Sequence, residues 1–102
     1  MEAVVSQRRG EIERLCRRFH VRRLDLFGSA ATGHFDPQHS DVDLLVEFEP
    51  LSPGEYVEAF FGLREELERL LGLPVDLVTE GAARNPYFRA SVERSRQALY
   101  AA

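Results

Sequence analysis

The sequence predicts one α/β (α+β) domain spanning residues 1–102, with a small mixed β-sheet of three to four strands packed against helices. Two observations predict this class. Short segments of alternating apolar residues are interleaved with longer segments whose apolar residues recur at helical spacing, and Gly, Pro, Asn or Ser bound each of them. Hydrophobic residues make up 44% of the chain, which is enough for one buried core at this length.

The first third of the chain predicts a helix, a strand and a tight turn. Apolar residues over 3–19 recur at helical spacing, although Gly10 weakens that helix. The segment VRRLDLF, residues 21–27, alternates as a short strand does and ends at Gly28. The turn-forming residues that come next leave room for one helical turn after Ser29.

The segment DVDLLVEFE, residues 41–49, is the clearest predicted strand. Its side chains alternate, so Val42 and Leu44 share one face while Asp41 and Asp43 share the other. An acid within a buried apolar strand is costly unless a positive group compensates it. This strand is therefore the first place at which a functional site is expected.

The second half of the chain predicts a long helix, a third strand and a last helix. Ser52 and Glu55 have the spacing of a capping box at the start of the long helix, and Gly72 marks its end. Residues 75–79, VDLVT, predict the third strand. Asn85 is the predicted cap of the last helix, and the letters ALYA that follow it predict a short edge strand.

Composition excludes several classes of function. A net charge of −4 disfavours nonspecific nucleic-acid binding, which needs a basic face to release counterions. No long apolar run predicts a membrane span, and charges interrupt the first twenty residues, so no signal peptide is expected. The single cysteine, Cys16, is expected to be a buried apolar residue, and a cytoplasmic protein is the simplest interpretation.

The arginines are unevenly distributed, because seven of the thirteen lie in the first 23 residues. This cluster predicts either the solvated face of a helix or an edge that faces anions or a partner protein. Both interpretations are open at the level of the sequence.

Three acids are predicted to converge at one place in the sheet. Asp41 and Asp43 share a strand face, and Asp76 lies on the next strand, on the face opposite to Val75 and Leu77. If those strands are neighbours, three carboxylates repel one another, and a hard divalent cation is the usual compensation. Oxygen ligands favour Mg²⁺ or Mn²⁺ over zinc, and two such ions would clamp the attacking and leaving oxygens of a phosphoryl displacement.

The Gly28–Ser29 pair fits the same chemistry. Gly28 lets the backbone turn sharply and approach a phosphate without a Cβ in the way. Ser29 adds a hydroxyl and a backbone N–H at the start of the predicted helical turn, where anions bind. An anion site and a cation site on adjoining segments together predict a metal–nucleotide site.

These motifs resemble those of the nucleotidyltransferases of the DNA polymerase β superfamily, and specifically the minimal nucleotidyltransferase (MNT) family. The segment LFGSAATG resembles the Gly-Ser signature of that family, SDVDLLVEF resembles its paired-aspartate strand, and Asp76 in VDLV resembles its third acid. The resemblance covers nearly the whole chain, from about Val21 to Tyr100, and implies a nucleotidyltransferase-like fold.

The resemblance implies a role for each residue of the site. Asp41, Asp43 and Asp76 would be the catalytic and metal-binding acids, with Asp76 as the third ligand or the base-side carboxylate. Gly28 and Ser29 would hold the phosphates of the nucleotide. The implied cofactor is Mg²⁺, as two ions and with Mn²⁺ as an alternative, and the implied substrate is ATP.

The resemblance also implies a partner. Many minimal members of the family are similar to antitoxins encoded beside a HEPN-domain ribonuclease, and some add AMP to a tyrosine of that partner. The implied function is therefore metal-dependent transfer of AMP from ATP to a hydroxyl of a HEPN-type toxin, within a hetero-oligomer. A phosphatase of the haloacid dehalogenase type or a D-x-D glycosyltransferase would need a much longer chain.

One departure from the family leaves an alternative open. The family signature commonly reads Gly-Ser-Arg-Ala-Arg-Gly, whereas this chain has Ala30 and Thr32 at the two arginine positions. Arginine is the preferred bidentate partner of phosphate, so its loss weakens the expected grip on a nucleotide. The alternative is a non-catalytic antitoxin that neutralises its partner by direct contact and carries a vestigial nucleotide site.

Several other residues are expected to be structural. Asp25 is expected to make a solvent or capping contact, and Tyr56 and Phe60 are expected in the core because they lie at helical spacing. The three histidines lack the spacing of metal ligands and are expected on the surface or in loops.

Overall fold

A computed structural model describes residues 2–36, 38–81 and 85–102 of the chain. Within them lie five helices and four strands. Their order is α1 (Ala3–Ser6), α2 (Arg9–Arg18), β1 (Val21–Phe27), α3 (Ser29–Thr32), β2 (Val42–Phe48), α4 (Pro53–Leu71), β3 (Val75–Thr79), α5 (Pro86–Ser95) and β4 (Gln97–Ala101). Each of these helices is too short or too polar to span a bilayer.

The four strands form one mixed sheet in the order β3-β2-β1-β4. β1 pairs with β2 and with β4 in antiparallel fashion, whereas β2 and β3 are parallel. The parallel pair requires a crossover, and α4 supplies it by carrying the chain back along the sheet. The predicted fold class, a small mixed sheet with helices packed against it, is confirmed.

Helix α4 begins and ends where the sequence predicts. The Ser52 hydroxyl accepts the backbone N–H of Glu55, while the Glu55 carboxylate accepts the N–H of Ser52, which completes the capping box. Gly72 ends the helix in the left-handed conformation with φ of 68°. The buried side chains of Leu63 and Leu67 then fix this helix on the sheet.

The sheet is buried on both faces, by two unequal clusters. The larger cluster lies under α2 and α4 and includes Ile12, Leu24, Leu26, Leu44 and Leu67. The smaller cluster lies under α5 and consists of Phe27, Leu45 and Val92, with Val78 and Phe88 packed against it. Asp43 and Glu47 of β2 and Asp76 of β3 lie on the α5 side with Leu45 and Val78, because side chains alternate along each strand.

The N-terminal helix differs from its prediction. The helical period over 3–19 predicts one helix weakened at Gly10, but the chain forms α1 and α2 with a break between them, and Gly10 lies inside α2. The backbone N–H of Glu2 donates to the carbonyl of Ala30 at 2.7 Å. This bond holds α1 against α3, so the tertiary contact prevails over the local helical pattern.

A buried ion pair joins α5 to the centre of the sheet. Asp25 on β1 is fully buried and accepts a short hydrogen bond from Nε of Arg96, which follows α5 directly. Arg23 lies 3.0 Å from the same carboxylate oxygen, and Arg96 also donates to Glu93 at 2.6 Å and Glu80 at 3.0 Å. The expectation of a solvent or capping contact for Asp25 is wrong, because α5 covers that strand.

Replacing Arg96 by Met is expected to lower the free energy of unfolding by about 3 kcal/mol, because it leaves the Asp25 carboxylate buried with a weaker partner. The matched control is Arg69→Met, which removes two exposed ion pairs with Glu65 and Glu66 and is expected to cost less than about 1 kcal/mol. Urea unfolding of both variants measures the difference. Equal decreases in the free energy of unfolding would show that the buried pair stabilises the fold no more than the exposed pairs do.

Candidate functional site

Backbone pairing brings Gly28, Asp43 and Asp76 to the same end of the sheet. Asp43 is the Cα partner of Phe27, the last residue of β1, and it is also the Cα partner of Asp76 on β3. Gly28 follows Phe27 directly, so it lies beside Asp43. Asp41 lies one residue before β2 and is exposed. Strand register alone therefore places two acids and the glycine side by side.

The Asp43 carboxylate lies directly against the backbone of Gly28. A Cβ added to Gly28 would overlap Oδ2 of Asp43, and it would approach the carboxyl carbon to 3.2 Å. Gly28 also has φ of 72° and ψ of −151°, a conformation available to glycine and costly for other residues. Position 28 therefore requires glycine for two reasons: its backbone conformation is costly for other residues, and the Asp43 carboxylate occupies the space of a side chain.

Ser29 opens α3, the single helical turn that follows Gly28. Thr32 closes this turn, because its hydroxyl donates to the carbonyl of Gly28 at 3.3 Å, and Gly33 ends it with φ of 85°. Ala30 has no exposed surface and packs in the main core. The short side chain of alanine at position 30 fits this packing, which an arginine would disrupt.

The acids create a strongly negative site. Burial, followed by the negative charges of Asp76 and Asp41, raises the pKa of the Asp43 carboxyl from its ordinary value of 3.8 to about 6. Carboxylates in mutual repulsion are the donor set that Mg²⁺ or Mn²⁺ relieves, so the residues present fit a hard divalent cation.

The carboxylates do not form a finished ligand cage. Within the three described stretches, no group of three or more His, Cys, Asp or Glu side chains is arranged to hold a metal ion. The catalytic and metal-binding roles of Asp41, Asp43 and Asp76, and the phosphate-binding roles of Gly28 and Ser29, therefore stay predictions.

Sequence reasoning missed the contribution of α5 to this site. The backbone N–H of Gly28 donates to the hydroxyl of Ser95 at 3.0 Å, and that hydroxyl donates to the carbonyl of Ser91 at 3.2 Å. Near the start of α5, the ring of Phe88 meets that of Phe27 edge to face at 5.6 Å between centroids. No local motif marks Ser95, because its contact joins positions 67 residues apart.

The N-terminal arginines are largely engaged within the chain, which favours the solvated-face interpretation. Arg9 donates to the carbonyl of Ala98 at 3.0 Å, and Arg18 lies 4.9 Å from the centre of the Phe19 ring. The further ion pairs of this segment are Arg8–Glu11, Arg9–Glu13, Arg22–Glu47 and Arg23–Asp25. These contacts involve five of the seven arginines.

The remaining titratable residues that the sequence singled out are structural or exposed. Cys16 is buried, as expected, and burial raises the pKa of its thiol to about 12, so it stays protonated at neutral pH. The expected surface position of the histidines is confirmed for His20, His34 and His39.

A second surface feature lies on α4. Val57 and Phe61 are 53% and 56% exposed, and Tyr56 is 37% exposed, so the expectation of Tyr56 as a core residue is wrong. Tyr56 instead packs between Phe48 and Phe60, with ring centroids 5.4 and 6.5 Å away. A groove of about 360 Å³ runs beside these rings, lined by Tyr56, Phe60, Leu77, Val78 and Thr79.

Comparison with known proteins is consistent with this geometry. A family model of the nucleotidyltransferase domain matches residues 9–99, which contain the whole acid and Gly-Ser cluster. The protein adenylyltransferase MntA of Thermococcus cleftensis is 36% identical over 85 residues, covering 83% of this chain and 79% of that protein. A predicted protein adenylyltransferase of Methanocaldococcus jannaschii is 40% identical over 76 residues, or 74% of each chain.

Solved structures agree with the sequence relatives. The structure of a predicted minimal nucleotidyltransferase superposes with a TM-score of 0.75 at 36% identity and covers 95% of both chains. A toxin–antitoxin crystal structure with AMP-PNP superposes with a TM-score of 0.69 at 25% identity, covering 92% of this chain and 73% of the other. The chain therefore belongs to the nucleotidyltransferase domain family and, within it, to the minimal nucleotidyltransferases that its motifs predict.

Proposed function

We propose that this protein is an antitoxin of the protein adenylyltransferase type, which transfers AMP from ATP to a hydroxyl group of a HEPN-type toxin. The observation that carries the proposal is the contact between the Asp43 carboxylate and Gly28, with Asp76 paired beside it. The relative MntA is a protein adenylyltransferase, and AMP-PNP accompanies a related toxin–antitoxin pair, which supports ATP as the substrate. We expect both proteins to meet in the cytoplasm, where a lone thiol such as Cys16 stays reduced.

The proposed reaction is a displacement at the α-phosphorus of ATP. The acceptor hydroxyl oxygen forms a bond to that phosphorus, the bond to the bridging oxygen breaks, and pyrophosphate leaves. The hydroxyl proton passes to a carboxylate, and Asp76 is the exposed acid nearest to Asp43 in register. Gly28 allows the phosphates to approach the backbone, and Ser29 offers them a hydroxyl.

The acids also suit a divalent cation. Asp41, Asp43 and Asp76 would hold Mg²⁺, as two ions by resemblance to the family, with Mn²⁺ as the alternative. A cation bound there would neutralise the charge of the triphosphate and of the acids themselves. Without it, three carboxylates and a triphosphate would repel one another, so nucleotide binding and metal binding are expected to be coupled.

One observation favours the non-catalytic alternative. Ala30 is buried, and the Thr32 hydroxyl donates a hydrogen bond to the Gly28 carbonyl within the α3 turn. Neither residue supplies the positive charge expected beside a triphosphate. A purely steric antitoxin would neutralise its toxin without transferring AMP. The two functions differ in what a substitution at Asp43 does.

The apolar surface on α4 supports a protein partner. Val57 and Phe61 lie one helical turn apart and expose more than half of their surface, which is typical of interaction sites rather than of a free monomer surface. Exposed glutamates border the surface at Glu49, Glu55 and Glu58. The surface thus fits a partner face whose apolar side chains are flanked by arginine or lysine.

The central test is AMP transfer to the HEPN protein encoded by a neighbouring gene. Labelled ATP and Mg²⁺ are expected to label that partner, and Asp43→Asn is expected to reduce the rate at least about 100-fold, as loss of a key electrostatic group does. Glu13→Gln, at a partly exposed position of α2, is the control and should leave the rate unchanged. If Asp43→Asn still neutralises the toxin in cells without labelling it, the non-catalytic alternative replaces this proposal.

Asp43→Asn is also expected to change the pH dependence of stability. Because its folded-state pKa is raised, Asp43 favours the folded state fully below about pH 4 and loses that contribution as the pH rises through about 6. With a chelator at about pH 8, the variant is expected to be more stable by about 1 kcal/mol, after allowing for solvent screening of a partly exposed carboxylate. The difference should shrink towards about pH 4, where the native carboxyl is protonated.

Addition of Mg²⁺ is expected to make the native chain more stable than Asp43→Asn, the reverse of their order in chelator. Mg²⁺ should raise the thermal midpoint of the native chain and of Glu13→Gln, but not that of Asp43→Asn, because a cation that binds only the folded acids stabilises by mass action. Thermal unfolding followed by circular dichroism measures both effects. An equal Mg²⁺ response in all three proteins would place the cation elsewhere.

Phe61→Asp is expected to weaken binding of the HEPN partner at least about tenfold, because it places a charge in an apolar contact and adds to the acidic rim. Ala98→Asp introduces the same charge at an exposed position of β4, the edge strand on the far side of the sheet from β3, and should bind normally. Co-purification and titration calorimetry measure the affinity. An unchanged affinity of Phe61→Asp for the partner would show that the partner does not bind at the α4 surface.

A further inference from the structure

We propose that Ser95 is a positioning residue of the nucleotide site, which fixes the Gly28 backbone so that Asp43 and the nucleotide phosphates meet in a defined geometry. The inference rests on the proposed function, because it assigns a role within the same site. It concerns a residue outside the Gly-Ser and aspartate motifs.

The hydroxyl of Ser95 makes two hydrogen bonds in the contact. Its oxygen accepts the backbone N–H of Gly28 at 3.0 Å, and its proton is donated to the carbonyl of Ser91 at 3.2 Å. A hydroxyl that both donates and accepts has one favoured rotamer, since rotation would break one of the two bonds. The bond between Gly28 and Ser95 is partly buried, whereas the bond from Ser95 to Ser91 is exposed to water.

Gly28 needs such an anchor more than an ordinary residue does. It lies just beyond Phe27, whose pairing with Asp43 is the last step of the β1–β2 ladder towards the site. Its φ of 72° and ψ of −151° lie in a region that only glycine occupies easily. Glycine also has other backbone conformations of similar energy, so this one is not fixed by the residue itself. The bond from Ser95 selects one conformation among several.

The position of Gly28 in turn decides where the Asp43 carboxylate can lie. The two groups are in direct contact, because a Cβ on Gly28 would overlap Asp43 Oδ2. A shift of Gly28 towards β2 would displace the carboxylate, and a shift away would open the phosphate side of the loop. Ser95 therefore acts on the acid through the glycine.

The rest of α5 holds Ser95 in place. Phe88 packs on Phe27 near the start of the helix, and Arg96, the next residue after Ser95, is bound to the buried Asp25. The backbone N–H of Arg96 also donates to the carbonyl of Val92 at 2.8 Å. Both ends of α5 are thus attached to β1, so the serine is presented to Gly28 by a rigid element.

The contact has a consequence for nucleotide binding. The N–H of Gly28 is already donated to Ser95, so this group is not offered to a phosphate in the observed conformation. Phosphate contacts are left to Ser29 and to backbone groups beyond it. Loss of the serine hydroxyl would free the Gly28 N–H and loosen the loop at the same time.

The test compares Ser95→Ala, Ser95→Thr and Ser91→Ala. Ser95→Ala is expected to raise the exchange rate of the Gly28 amide hydrogen and the KM for ATP about threefold to tenfold, while kcat changes less. Ser95→Thr keeps the hydroxyl and should restore both values. Ser91→Ala removes an exposed hydroxyl from the same helix but leaves the carbonyl that Ser95 uses, so it should behave as the native chain.

Amide exchange is followed by NMR on the ¹⁵N-labelled chain, and KM and kcat by AMP transfer to the HEPN partner. An unchanged Gly28 amide in Ser95→Ala, or a loosened amide with an unchanged KM, overturns the inference. Failure of the native chain to bind or turn over ATP overturns the proposed function instead, and the inference with it. Failure of the inference is seen only when Ser95→Ala is compared with the native chain, whereas failure of the proposed function is seen in the native chain alone. The two failures are therefore distinguishable.

Discussion

The ion pair between Asp25 and Arg96 is the interaction on which the arrangement of this molecule depends. A carboxylate with no exposed surface in the central strand is tolerated only with a cation against it, and Arg96 comes from the end of α5. The pair therefore fixes the helix across the sheet face that carries the acids. Ser95 reaches Gly28 because its neighbour in the chain is held at Asp25.

The carboxylates of Asp25 and Asp43 lie on the same face of the sheet but differ in their charged neighbours. Asp25 is compensated from within the chain, by Arg96 and Arg23. Asp43 is partly buried beside Asp76 and Asp41, and burial together with their negative charges raises its pKa. The fold thus neutralises one carboxylate on this face from within the chain and brings the other together with further acids, an arrangement that suits a positive charge supplied from outside.

Local patterns were sufficient to predict the elements and the acidic part of the site. The period of two in β2 and in β3 sets the faces of Asp43 and Asp76, and it is visible in short stretches of sequence. That the two strands are parallel neighbours was only a condition of the prediction, and the structure meets it. Ser95, Arg96 and the burial of Asp25 could not be predicted in this way, because their contacts join positions 67 and 71 residues apart. The break between α1 and α2 has the same origin, since α1 is held by a carbonyl of α3.

The burial of Ala30 makes the two departures from the family signature unequal. Position 30 is an interior position in this protein, packed in the main core, where a long charged side chain would be costly. Position 32 is exposed at the end of the α3 turn. The common signature could therefore be restored by substitution at position 32 without repacking the core, whereas an arginine at position 30 would require the core itself to change.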